Sequence, residues 1–297
     1  MRRSPKLALL SIALVGAALT SALAAPLTAP LAAQAPPPNA ALDAARAAWE
    51  RHPENVDSII WYGRRVGYTG AFQEAVDIYT NGLRLHPDEP HLLRHRGHRF
   101  ISLRRFEWAI ADLERARAVV DGAEDEVEPD GQPNARGIPT STLHSNIRYH
   151  LALAYFLTGQ YRRALPIWEE DATRATNVDQ RVAATYWWVL TLAHLKRGAE
   201  AKAILGAVRP EWDVIENGSY HRALLWMRGD LTDAQVLPAG ASVLERQTVG
   251  NGMGQWHAAN GRVAEARAAW ASVLATGPSA SFGVLAAEQG MARLTNP

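Results

Sequence analysis

The apolar residues of this chain fall into two patterns. The first is a continuous uncharged run, Leu7 to Ala25, placed directly after Arg2, Arg3 and Lys6. Cations that stay on the inner side, a short apolar helix and the small-x-small site Ala22-Leu23-Ala24 are the three parts of a secretory signal, with cleavage after Ala24. Arg2-Arg3 supplies only the pair of a twin-arginine signal. Left uncleaved, the 19 residues of the run come close to the roughly 20 of a membrane span. Their Ala and Gly content makes them only moderately apolar, which favours cleavage. Residues 25–40 read as a Pro/Ala-rich linker, stiffened at Pro36-Pro37-Pro38.

The second pattern fills residues 41–297 and predicts a series of helical hairpins. Pro53 and Pro87 stand 34 residues apart, as do Gly63 and Gly97, Phe72 and Phe106, Ala75 and Ala109, Tyr79 and Leu113, and Gly82 and Ala116. The set returns 55 residues further on as Ala152, Tyr161, Ala164 and Trp168, one period plus a 21-residue insertion. It returns again, three periods later, as Gly254, Val263, Ala266 and Trp270. A shorter signature, Gly followed five residues on by Ala, occurs at Gly70/Ala75, Gly159/Ala164, Gly198/Ala203, Gly229/Ala234 and Gly261/Ala266; in the second unit Arg104 precedes Ala109. A small residue lets two helices cross closely, a Gly ends the first helix in a left-handed turn, and the Ala packs back against that helix. Phe72, Phe106 and Tyr161 fill the gap between units, and Pro53, Pro87 and Pro278 stop the second helices.

These residues and spacings resemble the tetratricopeptide repeat (TPR) family, over about residues 41–297. The resemblance implies an all-α fold, a right-handed solenoid of helix–turn–helix repeats at 56–87, 90–121, 145–176, 184–212, 215–240 and 247–278. The fourth and fifth repeats are degenerate: both lack the closing Pro, and Pro238 stands where the second helix of the fifth should continue. Pro166 falls inside the second helix of the third, so a kink is expected there. Residues 41–52 and 281–294 read as terminal capping helices, needed because an open end exposes core.

The insertion, residues 121–142, is rich in acids and turn residues, with Asp121, Glu124, Asp125, Glu126, Glu128 and Asp130 before PDGQPN and IPTST. Its acids lack the alternate spacing of a calcium loop, and Pro129 and Pro133 intervene, so a solvated or groove-covering loop is expected. Composition narrows the function classes. Hydrophobic residues at 47% with charged residues at 21% make a globular balance. Removing the signal leaves 28 basic against 30 acidic residues, without the basic excess of a general nucleic-acid binder. The absence of Cys excludes a disulfide framework, a thiolate metal site, a thiol nucleophile and a lipoprotein anchor.

The resemblance further implies a concave face lined by the first helix of each repeat. Positions three or four apart place Asp57, Ile60, Arg64 and Tyr68 there, then His91, Arg94, His98 and Ser102, then Asn146, Tyr149, Leu153 and Phe156. Thr185, Trp188 and Leu192 follow, and finally Thr248, Asn251 and Gln255. The groove runs from basic through aromatic to amide-rich, which suits an acidic peptide with an apolar anchor. Arg64 and Arg94 would hold carboxylates, Tyr149 and Trp188 the anchor. The candidate binding residues are Arg64, Tyr68, His91, Arg94, His98, Asn146, Tyr149, Trp188 and Asn251. The competing reading leaves the arginines solvating a helix face and the aromatics packing units together.

Other motifs carry less. His91, His95 and His98 share a helical face as a zinc site requires, but Arg94, Arg96 and Arg99 oppose a dication; no metal is expected, and an anion site tuned by histidine protonation is the sharper alternative. Gly250–Gly254, GNGMG, lacks the Lys-Ser/Thr and the preceding strand of a phosphate loop. Asn217-Gly218-Ser219 matches a short glycosylation acceptor. No catalytic signature and no cofactor motif occurs. The expectation is a non-enzymatic TPR scaffold or adaptor, exported to the periplasm or cell envelope, that binds a protein or peptide and no nucleic acid. Membrane contact would come only through an uncleaved N-terminal segment. The alternative is a receptor for a small anionic ligand held by Arg64, Arg94 and His98 under the loop. An enzyme sited between loop and groove is a third reading.

Overall fold

The computed structural model describes residues 38–295. The secretory signal and the linker up to residue 37 lie outside them. The described residues form fourteen helices, α1 (Pro38–Arg51), α2 (Val56–Tyr68), α3 (Phe72–Leu85), α4 (Pro90–Ser102), α5 (Phe106–Val119), α6 (Leu143–Leu157), α7 (Tyr161–Thr173), α8 (Val178–His194), α9 (Gly198–Ala207), α10 (Gly218–Arg228), α11 (Asp233–Val236), α12 (Val243–Ala259), α13 (Val263–Leu274) and α14 (Phe282–Thr295). The only sheet-like pairing among them is one antiparallel bridge, Val127 with Thr142. The N-terminal cap begins at Pro38, inside the expected linker, because Pro is well suited to a first helical turn.

Hairpin register explains the repeat. Residues at the turns after α2, α4, α6, α8 and α12 all adopt left-handed backbone: Gly70 (φ 89°), Arg104 (60°), Gly159 (74°), Lys196 (62°) and Gly261 (78°). Five residues beyond each stands an alanine with no exposure: Ala75, Ala109, Ala164, Ala201 and Ala266. The fourth turn therefore belongs to Lys196 and Ala201, which corrects the expected Gly198/Ala203 pair by two residues. Seven residues before each turn the two helices cross. At Gly63 an added Cβ would come within 2.5 Å of the Tyr79 ring, and at Gly97 within 2.7 Å of Leu113. At Gly254 it would collide with Trp270. In the fourth hairpin the crossing position is Val189, with Leu205 in the place of those large partners. That substitution is why the repeat fades there.

Two helices start earlier than the repeat register implies. α8 begins six residues before 184, capped by the Asn177 side chain, and α12 four residues before 247, closed by a Ser242–Glu245 capping box. The fifth unit is the degenerate one: α11 is a single turn ahead of Pro238, and Ala234 is exposed. α7 runs continuously through Pro166.

Successive first helices touch one another, α2 with α4, α4 with α6, and α6 with α8, whereas successive second helices make no comparable contact. The first helices therefore converge on the inner face, and the fold is an all-α solenoid of tetratricopeptide-type hairpins. Because the fifth unit is short, α8 contacts both α10 and α12. The C-terminal α14 packs on α12 and α13 and also reaches α6. Arg293 Nη1 donates to the Leu157 carbonyl at 3.0 Å, and Arg104 pairs with Glu288 at 2.8 Å. The far end of the array thus closes back onto the second and third hairpins.

Candidate functional site

The basic stripe and the acidic insertion meet. Glu126 Oε1 lies 2.9 Å from His91 Nε2. Glu128 is buried, its carboxylate 3.2 Å from Arg94 Nε and 3.0 Å from His95 Nε2, and it accepts from Asn146 Nδ2 at 2.8 Å. Arg64 donates to the Pro129 carbonyl at 2.8 Å and Arg65 to that of Gly131 at 2.9 Å. Gly131 passes so close to the Tyr68 hydroxyl that a Cβ would overlap it. Burial alone would raise the Glu128 carboxyl; Arg94, His95 and Arg64 overcome it and hold it far below the usual carboxylate range. The segment 126–131 is thus an acidic stretch of the chain's own lying in the groove.

The loop is anchored at both ends. Its start caps α6: Asp125 accepts from the His144 amide at 3.0 Å and from Thr142 Oγ1 at 2.7 Å. Its far arm reaches the α9–α10 connection, where Arg136 pairs with Asp213 at 2.6 Å, and Glu216 accepts from Asn134 at 2.7 Å and Thr140 at 2.9 Å.

Beside the loop, on the inner face, lies a cavity of about 340 Å³. α4 contributes Arg94 and His98, α6 contributes Ser145, Asn146, Tyr149 and His150, and α7 contributes Asp171. Gln180 and Ala183 come from α8, Glu216, Asn217 and Tyr220 from around the start of α10, Phe282 from α14, and Asp130, Thr140 and Ser141 from the loop. Tyr149, Tyr220 and Phe282 make an aromatic wall: the two hydroxyls are 3.1 Å apart and the Tyr149 and Phe282 rings 5.9 Å. Trp187 Nε1 donates to Tyr149 at 2.8 Å and fixes it.

The charge of this cavity is the reverse of a basic pocket. Arg94 is matched by Glu128, and Arg64 is spent on the loop backbone. Burial, with Arg99 and His150 beside it, pushes His98 well below its ordinary value. Burial and then Arg94 push His150 down to about 3. Both imidazoles are neutral at pH 7. Burial raises Asp171 to about 7 even though Arg148 stands 3.0 Å away. What remains unmatched is acidic: Asp130, raised by burial and by Glu216, and Glu216 itself. Among the residues lining the cavity the anionic ligand expected against Arg64, Arg94 and His98 meets no unpaired cation: Arg94 is paired with Glu128, His98 is neutral, and Arg64 does not line it.

No protein-family model matches the chain, and no curated protein matches it. Solved structures do. YrrB, described as a TPR protein with an unusual peptide-binding site, is 14% identical over 84% of this chain and 100% of its own, with a TM-score of 0.45. A tetratricopeptide repeat protein from Parabacteroides merdae is 14% identical over 86% of this chain and 92% of its own, TM-score 0.47. BtubC from P. vanneervenii is 14% identical over 88% and 90%, TM-score 0.45. At such identities the likeness concerns fold alone, and the hairpin register described above is what establishes it here.

The sequence-derived candidates separate into three groups. Arg94, His98, Asn146 and Tyr149 line the cavity, while Arg64, Tyr68 and His91 meet the loop. Trp188 packs against the core outside the cavity, and Asn251 is fully buried, bonded to Gln255 at 3.1 Å. The three glycines of GNGMG face Val273, Tyr186 and Trp270, so packing accounts for all of them. His150, one helical turn after Asn146, was within reach of the sequence pattern. Tyr220 and Phe282 were not, because they arrive through the shortened fifth unit and the chain closure, which follow no period.

Proposed function

We propose that this chain is an exported interaction protein of the periplasm or cell envelope, a scaffold or assembly adaptor whose concave face recognises an extended acidic segment of a partner protein. The observation that carries this reading is Glu128, buried between Arg94 and His95 with backbone carbonyls of the same stretch on Arg64 and Arg65. The groove already holds a ligand of that kind in cis. A partner presenting its own carboxylate would exchange one buried ion pair for another, whereas simple loss of the pair would cost several kcal/mol. The tethered loop competes at an effective concentration on the order of millimolar, so a partner needs several such contacts. Export is supported by the run Leu7–Ala25 with its preceding cations; retention of the full chain in the cytoplasm on cell fractionation would remove that part of the reading.

The test is an exchange experiment. A labelled peptide with the sequence of residues 124–131 is titrated into wild type and into Glu126→Gln/Glu128→Gln, whose loop loses the two charges that meet His91, Arg94 and His95. The variant should bind the peptide about tenfold more tightly, a difference of about 1.4 kcal/mol, and adding Arg64→Glu should abolish binding. Equal affinity for wild type and variant would mean that the loop is fixed and the groove is not a recognition surface.

A further inference from the structure

The cavity adjoins the stretch that holds the loop and shares Arg94, Asn146 and Asp130 with it, but its remaining walls have a different chemistry. Its residues come from α4, α6, α7, α8, the start of α10, α14 and the loop, and meet only because the loop and the C-terminal helix close over the inner face. Two features give it a direction. One wall is aromatic, built from Tyr149, Tyr220 and Phe282 and held by the Trp187–Tyr149 bond. Opposite in character, Asp130 is half-buried and Glu216 exposed, so the two carboxylates stand toward the mouth. Glu216 takes hydrogen bonds from neutral donors only, Thr140 and Asn134. Among the described residues Asp130 has no hydrogen-bond partner and no ion pair; Arg64 acts on it only at longer range, its guanidinium on the Pro129 carbonyl and outside the cavity lining. The deeper polar groups are neutral imidazoles, amides and hydroxyls, or charges already matched one to one.

We infer that this cavity binds a small organic ammonium ion, its charged nitrogen between Asp130 and Glu216 and its apolar body against Tyr149, Tyr220 and Phe282. Two carboxylates lining one cavity, the Asp130 one half-buried, repel each other and are relieved by one cation. An aromatic wall adds attraction for ammonium that it does not offer an anion. The volume of about 340 Å³ falls at the lower end of small-molecule sites. An anion would face both carboxylates with no unpaired cation in the cavity lining, and a neutral polyol would leave them uncompensated.

Three probes of one shape and different charge decide the matter: 2-phenylethylamine, 2-phenylethanol and phenylacetate, titrated calorimetrically into the purified chain. The amine should bind about tenfold more tightly than either of the others. Asp130→Asn/Glu216→Gln should remove that preference, and Asp130→Asn alone, which touches no hydrogen bond of the loop, should weaken it while leaving the thermal midpoint in place. Binding of the alcohol or the acid as tight as that of the amine overturns the ammonium assignment while leaving a ligand cavity. Absence of binding by all three at millimolar concentration overturns the cavity as a ligand site. The amine titration is made with the loop in place and reads Asp130 and Glu216, whereas the peptide exchange reads Arg64 and Glu128, so failure of one is distinguishable from failure of the other.

Discussion

Arg104 and Lys196 occupy the left-handed turn that glycine holds in the other hairpins, at a cost of about 1–2 kcal/mol each for an L-residue. Both are tied across the array. Arg104 donates to the carbonyls of Ser102 at 2.8 Å and Ser279 at 2.9 Å and pairs with Glu288, and Lys196 Nζ donates to the Ala259 carbonyl at 2.7 Å. Arg104→Gly should therefore relieve strain and cut a closure contact at once. Global stability should change by less than about 1 kcal/mol, while amide exchange in α14 accelerates; unchanged exchange would mean that the tie does not hold the helix. The crossing glycines behave differently. Gly97→Ala drives a Cβ to 2.7 Å from the buried Leu113, and should lower stability by about 1–3 kcal/mol in urea. Gly198→Ala meets nothing within 4 Å, and should be neutral or stabilising by up to about 1 kcal/mol. The crossing residues were legible because one backbone requirement recurs at one spacing. Lys196 was not, because a long side chain hides the same requirement, and Gly198 two residues later offered a false register.

Among the helices, α7 carries a residue its interior should not tolerate. Pro166 is the sixth residue of the helix, is exposed and cannot donate to the carbonyl of Arg162, yet the helix continues to Thr173. Its neighbours Ile167 and Trp168 are buried, and their packing keeps the turn helical. Pro166→Ala restores the missing donor without disturbing the core, so urea unfolding should report a gain of about 1–3 kcal/mol; a loss would mean that Pro166 fixes a bend the third hairpin needs. The existence of these helices was readable from period and caps, and the first three hairpins match in register. α8 and α12 begin early because their starts are set by Asn177 and by the Ser242–Glu245 box, local signals outside the repeat. α11 shrinks to one turn because Pro238 stops it, which the sequence did indicate.

At the scale of the molecule, closure is what periodicity conceals. An acidic insertion and a basic stripe are complementary on paper, but the contact between Arg104 and Glu288 spans 184 residues and no repeat announces it. Closure gathers three imidazoles where α4, α6, the loop and α14 meet, His95 and His150 buried and His98 half-buried, with the His98 and His150 rings 4.3 Å apart. The groups facing them are Arg94, Arg99, Arg64 and Glu128, with the Asn146 carbonyl on His150 Nδ1 at 2.6 Å. Burial, then Arg94, holds His95 at about 3 in the folded chain against 6.5 when unfolded; His150 behaves alike, and His98 shifts in the same direction. Between those values the unfolded chain takes up protons that the folded chain refuses, so stability falls as pH falls through 6.5, by on the order of 1 kcal/mol per pH unit for each histidine. Asp171 works the other way: its folded carboxyl takes a proton at about 7, its unfolded one only near 3.8, so its contribution rises over that window. Burial holds His194 at about 4 and lowers His257, adding to the loss, while at His91 burial is overcome by Glu89 and Glu126, which raise it and add to the gain; the balance is a net loss in acid. The urea midpoint should be lower at pH 5 than at pH 7.5, and His98→Asn/His150→Asn should narrow the difference. Equal midpoints at the two pH values would require imidazoles that reach water in the folded chain, and with them a loop and a C-terminal helix that do not stay closed over the inner face.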